Sequence, residues 1–159
     1  MITNYLTFTV DNTVYALNVD SVLEVLNFSS PTAVPCALPY IEGLIYSREQ
    51  GITIVNFRKR FQLAEQEIDK RTKIIVVEVP SPRDNDENHI TLYGLVADSV
   101  QDVVQIFEEE PAKDAQCPIP SEFIATTLMY NEAPMFILNP VTLFKEAGEL
   151  NLGEKRNEN

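Results

Sequence analysis

Two stretches half a chain apart repeat each other. YALNVDSVLEVLNF at 15–28 and YGLVADSVQDVVQI at 93–106 share six of 14 residues at an offset of 78. Ala16 stands against Gly94, Glu24 against Asp102, Asn27 against Gln105 and Phe28 against Ile106. Two weaker matches follow in the same order. YIEGLIY (40–46) lies against FIATTLMY (123–130) with one residue inserted, and IVNFRKRF (54–61) lies against ILNPVTLF (137–144). Three matches in one order are the mark of a duplication. Each repeat then has roughly 70–80 residues, close to the lower limit for burying a core alone. Two such units gain most by packing on each other, and no Gly/Ser-rich linker parts them. The expectation is one compact body with two equivalent lobes and a seam. Lobe one takes about 14–70, and lobe two about 71–139 with the N-terminal strand packed on it.

The pattern within each repeat is that of short strands. YLTFTV (5–10) alternates, Asp11-Asn12 supplies turn chemistry, and VYALNV (14–19) returns. Ser21 with Glu24 three later fits a capping box for one helical turn, and 24–28 reads as a strand. The loop 29–43 holds three prolines; GLIY and GITIVNF close the half. KIIVVEV (73–79) and ITLYGLVA (90–97) are strands joined by a polar tip, 80–89. The segment 60–73 is polar, a short helix or loop. Asn139-Pro140 opens a helix over 140–150 in good cap and first-turn positions, and 151–159 is expected to fray. The fold class expected is mostly β, with two five-stranded barrels.

Reactive chemistry is sparse. His89 is the single histidine, placed in the polar tip, and Cys36 and Cys117 form no C-x-x-C pair. A catalytic Cys–His site would have to be assembled by folding. Asp84, Asp86 and Asn88 start like a calcium loop, but His89 stands where glycine is needed and Leu95 where glutamate is needed. No phosphate-binding glycine loop occurs. The net charge of −12 repels nucleic-acid backbones and anionic lipid surfaces. IFEEEPAKD (106–114) and Arg58-Lys59-Arg60 are charge runs read as solvated faces or docking points. No segment reaches the length of a membrane span. No cofactor is expected, and a binding module is favoured over an enzyme.

Taken together, YLTFTVDNTVYALNVDSVLEVL, PYIEGLIYSREQGITIVNFR and YGLVADSVQDVVQI resemble, over residues 4–148, the CheW family of chemotaxis adaptors. The resemblance implies two intertwined Src-homology-3-like barrels with short connecting helices. It also implies a non-catalytic, cytoplasmic scaffold at the inner face of the membrane, within receptor arrays. Its partners would be the regulatory domain of a CheA-like histidine kinase and the cytoplasmic tip of methyl-accepting receptors, with weak self-association in arrays. Carried over residue by residue, the kinase-binding set is Gly43, Ile45, Arg48 and Glu49. The receptor-binding set is Val22, Glu24, Leu26, Val100 and Val103, with Val25 and Val104 as further candidates. An Arg48–Glu24 pair is expected, because an arginine between two strand-forming segments gains most from a carboxylate. Glu49 replaces the usual glycine after the arginine, and Asn56 stands where aspartate is common. These departures leave open a parallel chemosensory pathway or a receptor-only binder. A small-barrel nucleic-acid binder is the remaining alternative.

Overall fold

The computed structural model describes residues 2–47, 49–80 and 89–149. Among them run ten strands: β1 (Thr3–Val10), β2 (Thr13–Asn18), β3 (Val22–Asn27), β4 (Ile41–Ser47), β5 (Gln50–Asn56), β6 (Lys73–Pro80), β7 (Ile90–Ala97), β8 (Ser99–Ile106), β9 (Ile124–Tyr130) and β10 (Ala133–Leu138). Three one-turn helices accompany them: α1 (Phe57–Arg60), α2 (Pro140–Leu143) and α3 (Lys145–Gly148). The strands form two five-stranded sheets, ordered β8-β1-β2-β10-β9 and β3-β6-β7-β5-β4.

Written by repeat, the two orders are the same. The first repeat runs β1 to β5 and the second β6 to β10, so β8, β1, β2, β10 and β9 answer to β3, β6, β7, β5 and β4. Each sheet combines the first two strands of one repeat with the last three of the other. The barrels are intertwined, as expected. The hydrogen-bonded sheets therefore divide the chain between β2 and β3 and again between β7 and β8, whereas the lobes drawn from the sequence divide it at about 70, with the N-terminal strand set on the second.

Both sheets bury both faces, which is why their strands carry near-continuous apolar runs. Leu6, Phe8, Val10, Tyr15, Leu17, Phe136 and Leu138 of the first sheet meet Val55, Ile75, Val77, Val79, Tyr93, Leu95 and Ala97 of the second in one shared core. The opposite face of the first sheet gathers Tyr5, Ala16, Val104, Leu128, Met135 and Ile137. The opposite face of the second gathers Ile52, Ile54, Ile74, Val76, Leu92 and Val96. Each side chain so buried contributes about 1.5–3 kcal/mol. Repeat partners land in matching places: Tyr15 and Tyr93 in the shared core, Ala16 and Gly94 on the opposite faces, inside the two barrels.

Local devices are duplicated too. Asn56 and Asn139 are repeat equivalents, and each caps a helix: Asn56 Oδ1 accepts from Lys59 N–H at 3.0 Å, and Asn139 Oδ1 from Val141 N–H at 3.0 Å. The helix read over 140–150 is broken at Phe144, which leaves helical geometry to stack on Tyr93 at 4.7 Å. Tight turns close β1–β2 and β9–β10 with left-handed pairs, Asp11 (φ 55) and Asn12 (φ 66), Asn131 (φ 53) and Glu132 (φ 65). The ladder is interrupted at Leu23 in β3 and at Gln101 in β8, which are also equivalents.

The capping box expected at Ser21 is absent. The turn is a single 3-10 turn, Val19–Ser21, capped by Asn18, whose Oδ1 accepts from Asp20 N–H at 2.8 Å. Pairing with β6 already holds Val22 and Glu24 in a strand. From 61 to 72 the chain is irregular, and the tip at 81–88 and the tail from 150 lie outside the described residues.

Candidate functional site

The interruptions at Leu23 and Gln101 decide which side chains share a face. Strict alternation would turn residues three apart to opposite sides. With one extra residue inserted, Val22 and Val25 point the same way, and so do Val100 and Val103. Val22 stands opposite Val77 and Val25 opposite Ile75; Val100 stands opposite Phe8 and Val103 opposite Leu6. All four facing residues belong to the shared core, and cross-strand partners lie on one face. Val22 and Val100 are half-buried against that core. Val25 and Val103 are 38% and 53% exposed. The seam between the sheets is thus rimmed by two equivalent valines on strands that lie at the edges of their sheets.

Glu24 and Leu26 belong to the other face of β3, opposite Val76 and Ile74. Leu26 is half-buried against the interior of the second barrel. The five residues of the expected receptor set therefore divide between two faces. Val104, a further candidate, is buried inside the first barrel.

Of the expected kinase set, Glu49 is exposed at the β4–β5 turn in a left-handed conformation (φ 64). Ile45 is half-buried against the second barrel's interior. Gly43 is buried, with φ +138, and a Cβ there would lie 2.1 Å from the carbonyl oxygen of Thr32. Its lack of a side chain lets the proline-rich segment approach β4, where Thr32 and Leu44 exchange backbone hydrogen bonds of 2.8 and 2.9 Å. The exposed apolar group of this hairpin is Tyr46 (70%), which alternation alone would not separate from its buried neighbours. Arg48, and with it the expected Arg48–Glu24 pair, lies outside the described residues.

A buried arginine does occur, ten positions on. The run Arg58-Lys59-Arg60 is not a solvated face: its three cations have three different partners. Arg58 is 8% exposed. Its Nε and Nη2 donate to Asp98 at 3.1 and 2.7 Å, and Nη2 also reaches Asp11 at 3.4 Å. Nη1 donates to the Ala64 carbonyl, and Nη2 to Gln66 Oε1. One guanidinium thus ties α1 to the β1–β2 turn, to the crossover between β7 and β8, and to the irregular segment after α1. Burial by itself pushes the Asp98 carboxyl up; hydrogen bonds from Arg58 and the Asp11 amide, with the arginine's charge, outweigh it and hold Asp98 below its ordinary value. Lys59 pairs with Glu42 at 3.1 Å. Arg60 lies over the rings of Tyr40, Phe61 and Phe123 at 4.9, 5.1 and 4.8 Å. The signal in the sequence was Asn56, since a capped helix with Phe57 in the core carries the next side chain inward.

Among the described residues no group of His, Cys, Asp and Glu is placed to hold a metal ion, and no helix is long and apolar enough to cross a membrane. The arrangement offers exposed apolar and acidic strand edges on a rigid core, which is the chemistry of recognition.

The CheW-like domain family matches residues 4–148. The chain is 33% identical over 103 residues to "Chemotaxis protein CheW" of Bacillus subtilis (strain 168), a match that covers 65% of this chain and 60% of that relative. It is 22% identical over 144 residues to the protein of the same name in Treponema pallidum (strain Nichols), covering 87% and 79%. Among solved structures it resembles the scaffolding protein TtCheW from Thermoanaerobacter tengcongensis, with a TM-score of 0.73 and 26% identity over 87% of this chain and 85% of that one.

Proposed function

The chain belongs to the CheW-like domain family, and on that premise we propose that it is a non-catalytic scaffold that couples chemoreceptors to a CheA-like histidine kinase. It works in the cytoplasm, against the inner face of the membrane where receptor tips gather. The observation that carries this reading is the seam. Val25 and Val103 are exposed beside shared-core residues, with Val22 and Val100 half-buried behind them. An apolar rim on rigid strands suits the apolar face of a receptor helix hairpin. Glu24 and Leu26, on the other face of β3, support that strand from behind. The kinase surface is assigned to the β4–β5 turn, with Glu49 exposed there, Arg48 preceding it in sequence, and Ile45 and Gly43 holding its shape.

Titration calorimetry with the kinase regulatory domain, and separately with a receptor-tip fragment, tests the reading. The wild-type chain is expected to bind each saturably. Val103→Asp should weaken the receptor fragment by about tenfold or more, the size of a lost anchor, and leave the kinase domain unaffected. Glu49→Lys should do the reverse. Gly43 is unsuitable as a surface probe, because its substitution strains the backbone. Binding of neither partner by the wild-type chain sinks the proposal.

A further inference from the structure

Strands β3 and β8 are repeat equivalents, yet the chain leaves them differently. After β3 it runs Phe28-Ser29-Ser30-Pro31; after β8 it runs Phe107-Glu108-Glu109-Glu110-Pro111. Among the described residues β8 is paired on one side only, with β1. Val103 and Gln105 stand at alternate positions along it and Phe107 follows one residue past its end; all three are exposed, Phe107 by 66%. Between this stripe and Tyr130 of β9 lies a cavity of about 540 Å3, lined also by Asn4 and Val104. The Oδ1 atom of Asn4 is buried and takes no hydrogen bond. The glutamate run is held at the same place. Glu110 accepts from Met129 N–H, next to Tyr130, at 2.8 Å. Glu109 is close enough to Tyr5, next to Asn4, to add to the effect of burial in raising its pKa.

We propose that the β8 edge accepts an extended, basic segment of a protein partner as an added strand. Backbone groups on the free edge supply main-chain hydrogen bonds. The cavity takes a side chain of the segment between Phe107 and Tyr130. Lysine or arginine at the neighbouring positions meets Glu108, Glu109 and Glu110. A second copy of this chain is the wrong occupant: β3 carries no cation, and β8 against β8 sets two glutamate runs together in a chain of net charge −12. The inference is independent of the coupling role; it shares only Val103 with the receptor surface.

The test uses the full chain and a short blocked peptide that alternates lysine with valine. Its control is the same peptide methylated at alternate backbone nitrogens. Calorimetry should show saturable binding, weakened about tenfold by methylation and about tenfold by Phe107→Ser, the loss of one anchor. Amide NMR shifts should fall on residues 103–107 and leave 25–29 unmoved. The triple variant Glu108→Gln, Glu109→Gln, Glu110→Gln should bind less tightly and lose most of the salt dependence. These side chains are exposed, so unchanged thermal unfolding verifies each variant. Equal binding of the methylated peptide overturns the added strand and points to a helix or a lone side chain in the cavity. Shifts at β3, indifference to Phe107→Ser, or no binding of the lysine peptide also overturn it.

Discussion

Asp20 and Asp98 occupy the same place in the two repeats, each at the crossover where the chain leaves one sheet for the other. Asp98 is gripped by Arg58 and by the Asp11 amide. Asp20 is exposed. The repeat equivalent of Arg58 is Val141, which is 53% exposed. The backbone devices survived in both copies: the Asn caps, the extra residues at Leu23 and Gln101, and the segments laid along β4 and β9. The charge network exists in one. The first repeat is followed by an irregular segment that needs fastening, and Arg58 fastens it through Ala64 and Gln66. Duplicated geometry is thus held by packing and main-chain bonding, while the charges answer to local need.

Paired substitutions at equivalent positions can break or sharpen that contrast. Gly43→Ala forces a side chain onto the Thr32 carbonyl at positive φ. It should cost about 3–5 kcal/mol in urea unfolding, combining backbone strain and overpacking. Its counterpart Thr126, which pairs with Ile137 as Gly43 does with Ile54, already carries a side chain at ordinary φ, and Thr126→Ala should cost under about 1 kcal/mol. Equal costs would mean that Gly43 is not needed as a spacer.

Arg58→Ala leaves Asp98 without its main partner and frees the segment 61–72. A loss of about 3 kcal/mol is expected, against under about 0.5 kcal/mol for Val141→Ala. Acid titration of stability sharpens this further. A carboxyl held below its ordinary 3.8 contributes stability that is present above that value and fades as pH falls through the lower, folded value. Asp98→Asn should therefore flatten the acid limb of the stability curve. If the limb keeps its slope, Asp98 is not the anchor of its crossover. The smallest contrast is expected at the β4–β5 turn. Glu49→Gly relieves a left-handed side chain and should add about 1 kcal/mol. Glu132→Gly, at the equivalent turn, should do much the same.

The duplication was legible because it is carried by apolar spacing and by residues with backbone duties: Asn56 and Asn139, Asp11 and Asn12. The exchange of strands between repeats was legible only through the family resemblance, which implied intertwined barrels, and not from periodicity. Periodicity tells which face of a strand is buried, but not which neighbour it bonds to. The faces of β3 and β8 were not legible for the same reason, since a single extra residue at Leu23 or Gln101 reverses alternation and leaves no mark in composition. Arg58 looked like one of three equal cations; only the helix cap distinguishes the one turned inward. Gly43 is a spacer for the proline-rich segment, a duty that its place in the motif did not reveal. The rim valines were found as a set, but their division between seam and barrel waited on the register.

The exchange of strands has a consequence for how the molecule holds together. Neither half of the chain contains a whole sheet, so a cut between 61 and 72 would release two fragments that complete each other and nothing else. The polypeptide is in effect a dimer of repeats whose subunits are joined by a tether, and the tether fixes their local concentration far above what free diffusion would give. A single repeat expressed alone has one route to a finished core, which is to trade strands with its twin.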